Sequence, residues 1–398
     1  MSSLIPPVPA PRALLVRLPN PAGDVVLATP ALRALRRALP KTRIVVSGRP
    51  PALDLLDGLR DFDDAHFIVG ALGKGPGAAL RLGRAWRELE VDAVLLLTGS
   101  FSSALAARTS AAPVRVGYSR HGRRSLLTHV LEVPLEGKRP RPEPMRTHYL
   151  RLAALFGGTD DGSPPRLVVT QDGEDLVLER VTAERIPFGV VAVSPGAAFG
   201  ASKLYPVPLL AEAIRRVRKA TGLVPLVLVG PGEEALGAEL VSLLGPPVAS
   251  THRHVAKWSE TKALLRHADL LVTPDAGPRH VAAALGVPVV CLMGPTDPRW
   301  SAGDEATTTI VRRDDLDCLG CHLRSCPIGH PCMLGLSPER VVRACVDRLA
   351  ATPRPGSIPG VRPGAPVEPQ PTPLSPGAAA VAWHGAAAPG EPGRLPPR

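Results

Sequence analysis

Short, fully apolar runs alternate with amphipathic helical patterns along this chain, in two successive series. Strands that are apolar on both faces need helices on both sides, so the alternation points to parallel, doubly wound α/β sheets. In the first series Ala13-Leu14-Leu15-Val16-Arg17-Leu18 reads as a buried strand. Pro30 to Leu39 reads as a helix, with Leu32, Leu35 and Leu39 on one face and Arg33, Arg36 and Arg37 on the other. Arg43 to Ser47 is the next strand, followed by helix 79–89, strand 93–97 and helix 147–156. The second series begins after Pro187 with strand 189–194, helix 207–220 and strand 226–230. Helix 260–267, strand 270–273, helix 278–285, strand 289–293 and helix 337–350 complete it. The expected organisation is a flexible leader over 1–11 and a Rossmann-like domain over 12–175. A second such domain follows over 176–350, with a linker near 170–187. Ligands of such sheets bind at the carboxyl ends of the strands, here facing a cleft between the domains. Residues 351–398 are expected to form a disordered tail, since 13 of the 47 residues from Thr352 onward are proline and no apolar period survives.

A chain of 398 residues exceeds one ordinary core and suits two. Its net charge of +11 fits an anionic partner: a nucleotide, an acidic glycolipid, a membrane surface or a nucleic acid. Aromatic residues make up only 3%, which argues against stacking platforms for bases. The start lacks the cationic and apolar blocks of an export signal, and no run of 18 apolar residues occurs. The expected location is therefore cytoplasmic, with the six cysteines reduced.

Four segments carry candidate chemistry. Gly23-Asp24 to Thr29-Pro30 follows the first strand: Gly23 permits a tight turn or close backbone approach, and Asp24 could accept a proton from an attacking hydroxyl or simply cap the helix. Ser194 to Pro206 is a Gly-containing loop in which Lys203 could add charge to amides that cradle phosphate. Thr273-Pro274-Asp275-Ala276-Gly277-Pro278-Arg279-His280 turns into a helix whose first amides could hold an anion. His280 there could supply a proton or a hydrogen bond. In Gly230-Pro231-Gly232-Glu233-Glu234, either acid could pair with ribose hydroxyls or merely enrich a helix start.

Together and in this order, these segments resemble glycosyltransferase family 9, the bacterial heptosyltransferases. The resembling residues are Gly23-Asp24 with Thr29-Pro30, and Pro195-Gly196 with Lys203 and Pro206. They continue with Asp275-Ala276-Gly277-Pro278 and His280, Gly286-Val287-Pro288, and Gly294-Pro295-Thr296-Asp297-Pro298, so the likeness covers about residues 12–350. It implies a GT-B fold, with the donor on the second domain and the acceptor on the first. Asp24 matches the general base and Lys203 the phosphate-binding lysine, while Gly23, Asp275, Ala276, Gly277 and His280 match donor or phosphate contacts. Glu233 or Glu234 matches the ribose-binding acid. The chain departs from the pattern at Tyr205, where many relatives have Trp, and at Ala198 and Phe199, where some carry hydroxyls. The implied reaction is a direct, inverting displacement. A nucleoside-diphosphate sugar, ADP-heptose being favoured, donates to a lipopolysaccharide core or another anionic glycolipid or glycan. No Asp-x-Asp metal site is evident in the sequence, so catalysis is expected to need no divalent metal. Peripheral contact with the inner face of the cytoplasmic membrane fits the basic charge; nucleic acid is not expected as a partner.

Cys318, Cys321, Cys326 and Cys332 stand in one short segment with His322 and His330. Structural zinc is the first reading, a reduced metal-free cluster the second, and disulfide or redox sensing the third. Two rival functions remain at this stage. One is a non-catalytic GT-B-like protein, on the strength of Ala198 and Phe199. The other is a basic zinc-knuckle nucleic-acid binder, on the strength of the charge and the basic runs 120–124 and 138–141.

Overall fold

The computed structural model describes residues 8–67, 76–137, 139–184 and 189–352. The expected tail lies outside the described residues, as do positions 1–7 of the expected leader. The described part of that leader is anchored: Val8 is buried and its N–H donates to the Leu155 carbonyl at 2.8 Å.

The first half holds strands β1 (Ala13–Arg17), β2 (Arg43–Gly48), β3 (Asp64–Phe67), β4 (Ala93–Leu96), β5 (Val114–Tyr118) and β6 (His129–Leu131). A small antiparallel pair, β7 (Leu135–Glu136) and β8 (Arg139–Pro140), follows. The second half holds β9 (Val190–Val193), β10 (Val224–Val227), β11 (Ala249–Ser250), β12 (Leu270–Pro274), β13 (Val289–Leu292) and β14 (Thr308–Val311). Both large sheets are parallel, and their strand orders correspond: β3-β2-β1-β4-β5-β6 and β11-β10-β9-β12-β13-β14. This is the doubly wound dinucleotide-fold order, formed twice. The residues of β1 and β9 are all buried, as strands covered on both faces must be.

The helices are α1 (Ala22–Leu27), α2 (Thr29–Ala38), α3 (Pro50–Leu56), α4 (Pro76–Arg87), α5 (Phe101–Thr109), α6 (Met145–Ala154) and α7 (Gln171–Glu184). In the second half come α8 (Val207–Thr221), α9 (Glu234–Leu244), α10 (Trp258–Arg266), α11 (Gly277–Ala284), α12 (Pro331–Leu334) and α13 (Pro338–Ala351). The expected linker near 170–187 is largely the helix α7. It buries Val177 and binds α10 through the Arg180–Glu260 ion pair and a 2.6 Å His267–Glu174 contact.

One apolar core runs through both halves. It joins Leu14 and Val16 of β1 with Leu32 and Leu35 of α2, and continues to Ala263 and Leu264 of α10 and Val281 of α11. Polar contacts reinforce that junction. The Asp54 carboxylate accepts from the Trp258 and Ser259 amides at 2.7 and 3.2 Å, serving the open start of α10. The buried Lys262 ammonium donates to the Leu55 and Asp57 carbonyls at 3.1 and 3.0 Å. No helix among the described residues is long and apolar enough to cross a membrane.

Candidate functional site

In each sheet the connections reverse direction at a switch point, between β1 and β4 in the first and between β9 and β12 in the second. The residues singled out by sequence gather around these points. Asp24 follows β1. Lys203 follows β9, and Asp275 follows β12.

Gly23 lies inside α1 and needs no left-handed backbone, so the tight-turn part of the expectation does not hold. Close approach explains it instead. A Cβ at Gly23 would lie 2.6 Å from Cδ2 of His280. Glycine therefore lets α1 of the first half meet α11 of the second. On the same contact, a Cβ at Gly277 would lie 3.2 Å from the Ala22 Cβ.

Asp24 sits in the first turn of α1, but the capping position belongs to Pro21 and no side chain caps that end. The structure thus removes the helix-cap alternative. The Asp24 carboxyl is half-buried within the junction. Burial raises its pKa to about 6, with nearby Lys203 opposing the rise and Asp275 adding to it.

Lys203 and Asp275 are paired. The ammonium donates to the Asp275 carboxylate at 2.8 Å and to its carbonyl at 2.7 Å. Asp275 is held on its other side by Arg279, one helical turn on, at 2.9 Å. Arg279 is fully buried; it also pairs with Asp304 at 2.9 Å and donates to the Ser301 hydroxyl at 2.8 Å. Despite burial, Lys203 and Arg279 hold the Asp275 carboxyl well below the usual range, so it stays charged. Sequence reading assigned no role to Arg279, although its i, i+4 spacing from Asp275 carried the signal.

Ala276 is the N-cap of α11, and Pro278 lies in the first turn as expected. His280 is buried on this helix. Burial first, then Arg279, lowers its pKa to about 4, so at neutral pH it can offer a hydrogen bond but no proton. The buried hydroxyls of Thr273 and Thr296, at the same edge of the sheet, have no hydrogen-bond partner among the described residues.

The two acidic candidates separate. Glu233 accepts from the Gly230 amide at 2.9 Å, and its carboxyl lies against Gly196, where a Cβ would overlap it. Glu234 starts α9 and is exposed. Glu233 is thus the acid that meets the phosphate-type loop.

Phe199 stands between two cations. The Lys203 ammonium is 5.0 Å from its ring centre and the Arg324 guanidinium carbon 5.6 Å. Tyr205 is buried, and its hydroxyl donates to the Leu336 carbonyl at 2.7 Å.

Among the described residues, no group of three or more His, Cys, Asp or Glu is arranged to hold a metal ion. Cys332 is buried, Cys318 and Cys326 are partly buried and Cys321 is exposed, and burial first, then the neighbouring thiols of Cys318, Cys326 and Cys321, push the Cys332 thiol up. The segment braces the loop that carries Lys203. The Ser202 hydroxyl donates to the Leu323 carbonyl at 2.5 Å, its amide donates to Arg324 at 3.1 Å, and the His330 ring meets the Ser202 carbonyl at 2.5 Å. Two Asp-x-Asp triplets do occur, at 61–63 and 315–317. Asp63 is committed to Arg36 and to the Ile44 amide, and Asp315 to Arg313.

Comparison with known proteins bears on the family and the fold. The family model for glycosyltransferase family 9 (heptosyltransferase) matches residues 79–331. Lipopolysaccharide heptosyltransferase 2 of Escherichia coli K12 is 28% identical over 314 residues, which cover 75% of this chain and 87% of that protein. The solved E. coli ADP-heptose lipopolysaccharide heptosyltransferase II superposes with a TM-score of 0.70 at 22% identity, covering 85% of this chain and 98% of that one. A family 9 glycosyl transferase from Veillonella parvula superposes with a TM-score of 0.73 at 20% identity, covering 86% and 98%. With a GT-B fold and the family's model spanning well over half its length, the chain belongs to glycosyltransferase family 9.

Proposed function

We propose that this glycosyltransferase moves a sugar, with inversion, from a nucleoside-diphosphate donor to an anionic envelope acceptor. By the names of its relatives, the donor is ADP-heptose and the acceptor a lipopolysaccharide core. One observation carries the reading: Asp24 of the first sheet stands beside the Lys203–Asp275 pair, which occupies the switch point of the second.

The chemistry follows from that placement. At pH above about 6 Asp24 is ionised and can take the proton of an acceptor hydroxyl as it attacks the anomeric carbon. Negative charge grows on the departing diphosphate. Lys203 and the first amides of α11 would meet it, in a junction largely closed to water. Asp275, fixed by Arg279, positions Lys203, and Glu233, whose carboxyl lies against Gly196, would pair with ribose hydroxyls. Neutral His280 offers a hydrogen bond to the donor. The lysine and the helix amides supply the compensation that a divalent metal provides elsewhere, so the reaction runs without one. The protein works on the cytoplasmic side, where nucleotide sugars are available.

The test is turnover of ADP-heptose with a deacylated lipopolysaccharide core, following ADP release and the anomeric configuration of the product. Transfer with inversion, unaffected by chelator, is expected. Donor binding without transfer under all acceptors would favour the non-catalytic reading, and a retained anomeric configuration would exclude the direct displacement.

A further inference from the structure

We propose that the outer face of the first half, built from α4 and α5, docks on an anionic lipid bilayer and presents the acceptor-side mouth of the site to it. The proposal rests on the reading that the acceptor is lipid-linked.

These helices pack closely. Gly83 of α4 leaves no room for a side chain against Thr109 and the Ala106 carbonyl of α5. Their inner residues, Leu82, Trp86, Ala104 and Ala107, cover the sheet face that carries Leu15, Val94 and Leu96. The other face of the sheet belongs to the core shared with the second half. The outward sides of α4 and α5 therefore point away from the domain junction.

Those outward sides have an unusual make-up. Arg81, Arg84, Arg87 and Arg108 are exposed, and neither helix contains an acidic residue. The side chains of Arg84, Arg87 and Arg108 have no hydrogen-bond or ion-pair partner among the described residues. The arginines of α2 behave differently: Arg33 and Arg37 pair with Asp161, and Arg36 with Asp63. On the same two helices two large apolar side chains face water, Leu80 at 39% exposure and Phe101, at the start of α5, at 48%. Cations over anionic headgroups, with apolar side chains able to enter the interface, make the composition of a peripheral lipid-binding surface.

Its position suits the reaction. Phe101 opens α5 directly after β4, and Asp24 opens α1 after β1, the strand hydrogen-bonded to β4. Both lie at the carboxyl edge of one sheet, while Arg84, Arg87 and Arg108 lie in the last turns of their helices, toward its amino edge, so a bilayer seated along the full length of α4 and α5 runs beside the lip from which Asp24 is reached. Exposed Arg120, following β5, places a basic side chain at that carboxyl edge as well.

Sedimentation of the full chain with phosphatidylglycerol–phosphatidylcholine vesicles and with pure phosphatidylcholine vesicles tests this. Binding to the anionic vesicles is expected, weakened by salt, with little binding to the neutral ones. Each basic residue at such a surface contributes roughly fivefold in partition. The triple variant Arg84→Glu, Arg87→Glu, Arg108→Glu should therefore lose on the order of 100-fold, and the triple Lys variant should keep most of the binding. Both should keep wild-type kcat/KM on a soluble, deacylated acceptor, which also checks folding. Equal vesicle binding by wild type and the Glu variant overturns the proposal, as does a wild type that ignores anionic vesicles yet binds an acidic polypeptide or DNA through these arginines. Transfer to the soluble acceptor without vesicle binding would sink this surface alone. Vesicle binding through these arginines without any transfer would leave the surface standing and sink the enzymatic reading.

Discussion

Asp24 is held where its charge is unfavourable, and this separates its chemical role from a structural one. Its folded pKa is about 6, against about 4 for an aspartate in an unfolded chain. Between those values the folded state binds the proton that the unfolded state releases, so the term lowers stability as pH rises from about 4 to 6. Above pH 6 the full penalty is present, on the order of 2 kcal/mol. Asp24→Asn is therefore expected to raise the melting temperature at pH 8 and to leave it unchanged near pH 4, while cutting kcat by about 10²-fold or more. A helix-capping aspartate would show the opposite, a lowered melting temperature with little change in kcat. The same titration gives wild-type kcat/KM an acidic limb near pH 6, with activity lost as pH falls through it. A profile flat down to pH 5 would take the proton-accepting role away from Asp24.

At the scale of elements, the donor-side loop is held by charge on one side and by the cysteine segment on the other. Lys203→Ala should weaken ADP far more than adenosine in calorimetry if, as proposed, the ammonium meets phosphate; equal weakening of both would place the lysine elsewhere. His330→Ala removes the contact to the Ser202 carbonyl and should raise the donor KM several-fold with kcat nearly kept, since the loop loosens while Asp24 is untouched. The elements themselves were unevenly legible. β1, β9 and α8 could be read because their burial is written in local apolar pattern. The helix α7 escaped, because Gln171–Glu184 is polar around most of its circumference and carries Gly173 near its start. It is stabilised by tertiary partners, Val177 in the core and the ion pairs to α10, which no local period encodes. The site divides in the same way. Asp24, Lys203 and Asp275 stand beside recognisable turns. The buried network of Arg279, Asp304 and Ser301 becomes visible only once distant segments meet. The choice between Glu233 and Glu234 needed the approach of Gly196, a contact between two separate loops.

For the whole molecule, the consequential feature is that two dinucleotide-type sheets share one core rather than touching across a wet, mobile boundary. Separate domains joined by a small polar interface unfold separately. Here apolar residues of α10 and α11 lie in one continuous cluster with those of β1 and α2. The junction also satisfies buried polar groups that belong to both halves. The amides opening α10 depend on Asp54 of α3, and the Leu55 and Asp57 carbonyls depend on Lys262 of α10. Calorimetry of the wild type should accordingly show one cooperative transition for the folded body. Lys262→Met keeps an apolar stem of similar length but removes the donor from both carbonyls, and should cost about 1–3 kcal/mol. Combining it with Asp54→Ala, which leaves the α10 amides unserved, should split the transition into two as the halves lose their common polar seam. The residues proposed to bind the donor, Lys203, Asp275 and Glu233, lie wholly in the second half, so ADP affinity of the double variant should stay within a few-fold of wild type. Turnover should fall much further, because Asp24 is then no longer held against Lys203. A double variant with one sharp transition and normal kcat would show that the apolar core alone aligns the two sheets.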